Sequence, residues 1–111
     1  MTAKDIYNNA LALLGYTDNP EFQRRAIPIF NKVYFDLHRI VHGEKEFKPI
    51  KSLNEALELP DKVLLSVMPL GVAEMIALGE GDGELQQYFA RDYGAARVRI
   101  NRIDRIENTM P

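Results

Sequence analysis

Apolar residues recur at three- and four-residue steps from the first turn of the chain, and the rhythm breaks at glycine and proline. Ala3, Ile6, Tyr7, Ala10, Leu13 and Leu14 share one face of a predicted first helix. Thr2 stands where an N-cap belongs, with Asp5 three residues on in a capping-box-like pattern. Gly15 suits the left-handed turn after a helix end. Asn19-Pro20-Glu21 opens a second helix with a cap, a proline at the first helical position and an acid favourable to the helix dipole. Phe22, Ala26, Phe30, Val33, Leu37 and Ile40 form its stripe, and Gly43 closes it. Pro28 removes one backbone donor inside this helix. The stripe keeps its phase on both sides, so a kink is expected there and not a break.

Residues 44–59 show no helical period. Phe47-Lys48-Pro49-Ile50-Lys51-Ser52 reads as extended, because the residue before a proline is pushed out of the helical region. A segment of that length between helices is an extended loop or arm. Leu59-Pro60-Asp61 then restarts helix. Apolar residues at Val63, Leu64, Leu65, Val67, Met68, Leu70, Val72, Met75, Ile76 and Leu78 occupy all sides of it, which predicts a central helix enclosed by the others. Pro69 should bend this helix or mark a short turn before it. The Gly79-Glu80-Gly81-Asp82-Gly83 run is the strongest break, with Asp82 placed to cap the next helix. That last helix is predicted over 84–107, with Leu85, Phe89, Tyr93, Ala96, Ile100 and Ile103 along one side and Arg91, Arg102 and Arg105 opposite. Gly94 within it is a local weak point.

The expected fold is therefore all-α: a single domain over 1–111, about four helices, a long 44–59 loop between the second and third, and a long arginine-bearing C-terminal helix. Residues 106–111 read as a flexible tail. Composition agrees, with 46% hydrophobic and 27% charged residues, within the range of a soluble globular chain. No apolar run is read as reaching the roughly 20 residues of a membrane span. The start, Met1-Thr2-Ala3-Lys4-Asp5, turns polar too soon for a signal peptide, so a soluble intracellular domain is expected.

The chain has no cysteine, which excludes disulfides, thiol nucleophiles and thiolate metal sites together. Formal charge −2 argues against a general nucleic-acid binder, whose phosphate contacts need a basic surplus. The charge is unevenly spread: net +2 over 1–51, −6 over 52–84 with Lys62 the one base, and +2 over 85–111. An acidic middle and an arginine-bearing end suit head-to-tail pairing of copies.

Candidate chemistry is thin. His38 and His42 stand four apart, a spacing that can face one metal ion, yet no recognised third-ligand motif accompanies them. The 79–83 glycine run lacks the lysine and Ser/Thr of a phosphate loop and does not follow a strand. Ser66 has neither a flanking glycine elbow nor an adjacent base. Glu80 and Asp82 lie in polar sequence where nothing would raise a carboxyl pKa. The reading is non-enzymatic, with no cofactor and no metal.

Several short patterns together give the chain a family likeness. Leu13-Leu14-Gly15-Tyr16 closes the first helix, and a stretch over 25–37 leads into Phe47-Lys48-Pro49-Ile50, Leu53 and Leu59-Pro60. Met68-Pro69-Leu70-Gly71-Val72-Ala73, Gly81-Asp82, the aromatic pair Phe89 and Tyr93, and the arginine-rich last helix follow. In this the chain resembles small head–tail connector (adaptor) proteins of tailed bacteriophages. The resemblance implies a helical bundle whose copies form a ring under the portal, monomeric when free in some cases, where a tail or stopper protein docks and the DNA exit channel continues. It implies assembly in the bacterial host cytoplasm and a final place in the virion neck, without sequence-specific nucleic-acid or membrane binding. The candidate interface is Phe47, Pro49 and Ile50 on the loop, Glu80 and Asp82 in the acidic block, and Arg91, Arg102 and Arg105 on the last helix. The alternative is a cytosolic helical interaction or regulatory module with no phage role.

Overall fold

The computed structural model describes the backbone of residues 1–109 and the side chains of residues 1–100. Five helices follow one another: α1 (Ala3–Leu14), α2 (Pro20–His42), α3 (Asp61–Ser66), α4 (Met68–Gly79) and α5 (Gly83–Thr109). α3 and α4 are the two pieces of the predicted third helix, so the expected all-α bundle with a long α2–α3 loop stands. The division falls at Val67. Pro69 has no N–H to offer the carbonyl of Leu65, and the chain turns two residues earlier, with Val67 accepting from the N–H groups of Leu70 and Gly71. Pro28 leaves α2 unbroken because it sits on the exposed face, where water reaches the carbonyl it fails to satisfy.

The predicted helix ends hold in detail. The Asp5 carboxylate accepts from the Thr2 N–H at 2.9 Å, and the Asn19 side chain accepts from the Phe22 N–H at 3.0 Å. Asp82 Oδ1 accepts from the Leu85 N–H at 3.2 Å. Gly15 and Gly43 close α1 and α2 at φ of +70° and +66°, where a side chain would be strained. α5 runs past the expected limit at 107 and takes in part of the segment expected to be a tail. Residues 110–111 lie outside the described residues.

α4 is the hub. It packs most extensively on α5, and also on α1, α2 and α3. Met68, Val72, Ala73 and Ala77 are sealed from solvent, as are Ile6 of α1 and Phe30 and Leu37 of α2. Gly71 lets α5 close in: a Cβ there would lie 2.8 Å from the Tyr93 ring and 2.9 Å from Val33 Cγ1. Enclosure is incomplete, however. Leu65 and Leu78 are 55% and 56% exposed and Met75 is half-buried, which corrects the expectation of a helix covered on every side. Both leucines lie on the open side of the α3–α4 segment, while Leu64, Val67 and Ala77 at the same levels are buried. Asp61–Gly79 carries an 18-residue window of mean hydropathy 1.6, of which 56% is buried against the other helices, as in a core element, and the segment is divided at Val67.

α1 needs a similar correction. Leu11 is buried and Leu13 is half-exposed. At about 100° per residue the buried arc runs from Ile6 through Ala10, Ala3, Leu14 and Tyr7 to Leu11. Leu13 falls just outside the Ile6 edge, at the last turn.

Candidate functional site

The loop between α2 and α3 is the first place where the sequence predicted an interaction surface, and it is tied down rather than free. Ile50 is buried, and Asn31 of α2 grips its backbone from both sides. The Ile50 N–H donates to Asn31 Oδ1 at 2.8 Å, and Asn31 Nδ2 donates to the Ile50 carbonyl at 3.0 Å. The Glu58 N–H donates to the Tyr34 hydroxyl at 3.0 Å. Leu57 and Leu59 are buried as well. The loop also caps α1: the otherwise unsatisfied N–H groups of Ala3 and Lys4 donate to the carbonyls of Glu55 and Leu53, at 2.9 and 2.8 Å. The extended loop or arm expected over 44–59 is a strap fastened to α1 and α2, and Ile50, expected as an interface residue, is its buried anchor. Pro49 stays exposed.

Phe47, near the start of this strap, packs edge-on against Tyr34, Phe35 and His38, with ring centroids 5.0 to 5.4 Å apart. Half-exposed Phe35 extends the same aromatic group to the surface. His38 is buried in it, 4.7 Å from the His42 ring centroid. A His42 ring nitrogen, Nε2, lies 2.6 Å from the Glu58 carbonyl, so this imidazole fastens the strap's far end. Among the described residues, no group of three His, Asp or Glu side chains converges as metal ligands. The two histidines thus take structural places that the four-residue spacing alone did not reveal.

The acidic candidates are engaged within the chain. Glu80 pairs with Arg25 at 2.7 Å, and Arg25 also reaches the Gly79 carbonyl at the end of α4. Asp82 caps α5 and accepts from the Tyr16 hydroxyl at 3.2 Å. These bonds tie the α4–α5 turn to the ends of α1 and α2. Arg91 is exposed on α5. Arg102 and Arg105, like Ile103 on the opposite side, lie outside the described side chains.

Sequence reasoning missed a polar seam between α2 and α5. Asp36 accepts from the Tyr93 hydroxyl at 2.6 Å and from Arg97 Nη2 at 2.9 Å. Arg97 Nε lies 2.9 Å from the carboxylate oxygen that Tyr93 also reaches, without hydrogen-bond alignment. Burial, followed by the bond to Asp36, pushes the Tyr93 phenol far above its usual range, so it stays protonated and is no base at neutral pH. Tyr7 behaves alike: burial first, then its 2.5 Å bond to Asp18, raise its pKa. Only the period placing Tyr93 on the buried side of α5 and Asp36 beside the α2 stripe could have hinted at the seam.

Two hollows stand out on the described surface. One, about 380 Å³, is a furrow over the seam, walled by Phe35, Asp36, Glu74, Met75 and Tyr93. The other, about 340 Å³, opens between the end of α2, α3 and α5, with an aliphatic floor and Lys62, Ser66 and Arg99 at its rim. Its volume is that of a small binding cleft. No family model, curated protein or solved structure matches this chain.

Proposed function

We propose that the chain is a non-enzymatic assembly protein, a head–tail connector that forms a ring beneath a phage portal and continues its DNA exit channel. The single observation that carries this reading is the run of patterns from Leu13-Leu14-Gly15-Tyr16 to the arginine-bearing last helix, which resembles that family over nearly the whole length. The all-helical fold agrees with what the resemblance implies. A rigid core around α4 suits a protein that is stacked and loaded, and its exterior carries both apolar and charged docking features.

The second reading is a cytosolic helical module that binds a partner helix. The 340 Å³ aliphatic cleft is what favours it, since apolar grooves accept amphipathic helices. Genome context separates the two at once: portal, capsid and tail genes beside this one support the connector. The direct experiment mixes purified chain with the portal protein of the same genome and monitors co-sedimentation. Stoichiometric co-sedimentation supports the connector; a chain that stays in the supernatant at saturating concentration refutes it.

A further inference from the structure

The 340 Å³ cleft and the exposed Leu78 lie at opposite ends of the bundle. The cleft sits where α4 begins, with Val41, Val63, Val67, Leu70 and Ile100 as its apolar lining. Leu78 sits where α4 ends, eleven residues or about 16 Å along the axis from Val67. Half-exposed Leu13 lies in the last turn of α1, which leads into Tyr16, whose hydroxyl reaches Asp82 just past the end of α4. Charge differs between the two features. Among the described residues the cleft lining contains two bases, Lys62 and Arg99, and no acid, although Lys62 is the one base in the acidic 52–84 block. The Leu78 end gathers Asp18, Glu21, Glu80, Asp82 and Glu84 against Arg24 and Arg25.

We propose that the cleft is the socket for the Leu78 end of a second copy of this chain. Leu78 enters the aliphatic floor, while Lys62 and Arg99 face the carboxylates of Glu84 and of Glu80, which keeps its Arg25 partner and shares its open side. The contact is heterologous, socket to knob, so a joined pair retains one unused socket and one unused knob and assembly continues into a ring or a filament. Its biological setting rests on the connector reading, but the contact itself does not require a portal.

The absence of cysteine makes the test specific. Chains carrying Ser66→Cys and chains carrying Leu78→Cys, both exposed positions, are mixed at high concentration under mild oxidation. The mixed disulfide should form at least tenfold faster than one between Ser66→Cys and Tyr88→Cys, an equally exposed control. Adding Lys62→Glu and Arg99→Glu to the socket chain should remove that advantage, and Glu84→Lys on the knob chain should restore part of it. Circular dichroism of each variant confirms folding. A mixed rate no faster than the control overturns the proposal. So does portal protein shielding Ser66→Cys from alkylation while the mixed disulfide stays at the control rate, which gives the cleft to the portal instead. Cross-linking without co-sedimentation on portal would sustain this contact and sink the connector, and co-sedimentation without cross-linking would do the reverse.

Discussion

Alanine at Gly71 tests the packing of the hub. In an open helix interior, glycine to alanine stabilises by about 1 kcal/mol because the backbone has less freedom to lose. At Gly71 the added methyl would meet Tyr93 Cε1 at 2.8 Å and Val33 Cγ1 at 2.9 Å, where ordinary contact begins at 3.4 Å. Neither neighbour can yield cheaply: the Tyr93 ring is tethered to Asp36 by its hydroxyl, and buried Val33 is stiff at χ1. Overpacking of this kind costs roughly 1–3 kcal/mol, so after the propensity gain the substitution should destabilise by up to about 2 kcal/mol. Gly94 supplies the internal control, since it is also helical and a Cβ there meets nothing within 4 Å. Gly94→Ala should stabilise by about 0.5–1 kcal/mol. Urea unfolding monitored by circular dichroism measures both, and about 4 °C in Tm per kcal/mol gives a thermal cross-check. In a Tyr93→Ala background, Gly71→Ala should lose much of its cost. Equal stabilisation by Gly71→Ala and Gly94→Ala would refute the close approach of α4 and α5.

The same contacts set the outcome of other perturbations. Asn31→Ala strands both polar groups of the buried Ile50 backbone and should cost about 1–3 kcal/mol, with hydrogen exchange rising first at Ile50 and then along the strap. Ile76, 5% exposed on α4, should cost about 2–5 kcal/mol on truncation to alanine; a loss under 1 kcal/mol in urea would make α4 peripheral. The raised phenols of Tyr7 and Tyr93 favour the folded state while protonated. Their contribution is complete below the ordinary tyrosine pKa near 10 and drains away above it, by up to about 1.4 kcal/mol per pH unit for each phenol. Thermal midpoints should fall steeply above pH 10, less so in Tyr93→Phe. The lowered carboxyls act at the other extreme. The backbone bond from Thr2 lowers Asp5; in Asp18 burial pushes upward, and the bonds from Tyr7 and Gln23 outweigh it. Support from both carboxylates is therefore lost as pH falls below about 4.

Helix ends were legible because their signals are local. Thr2 with Asp5, Asn19-Pro20, Gly15, Gly43 and Asp82 each act within four residues, and each occupies its predicted place. Pro69 likewise marked the break at Val67. What stayed hidden is written in pairs distant along the chain. Asn31 and Ile50, Tyr34 and Glu58, and Asp36 and Tyr93 have no periodicity that announces them, so the strap reads as a loose arm and the seam does not appear. Leu13, Leu65 and Leu78 show the complementary failure: apolar character marks a residue as able to be buried, and only neighbouring elements decide whether it is. The acidic candidates Glu80 and Asp82 were located by charge, but their bonds to Arg25 and Tyr16 belong to the fold's closure.

Electron cryo-microscopy of the portal protein of the same genome, incubated with excess chain, tests the connector proposal most directly. A connector should appear as a closed ring of added density on the tail-facing end of the portal, coaxial with its channel and fitted by the five-helix fold. Portals that remain bare at saturating chain, or carry the chain at scattered lateral positions without a ring, would contradict it.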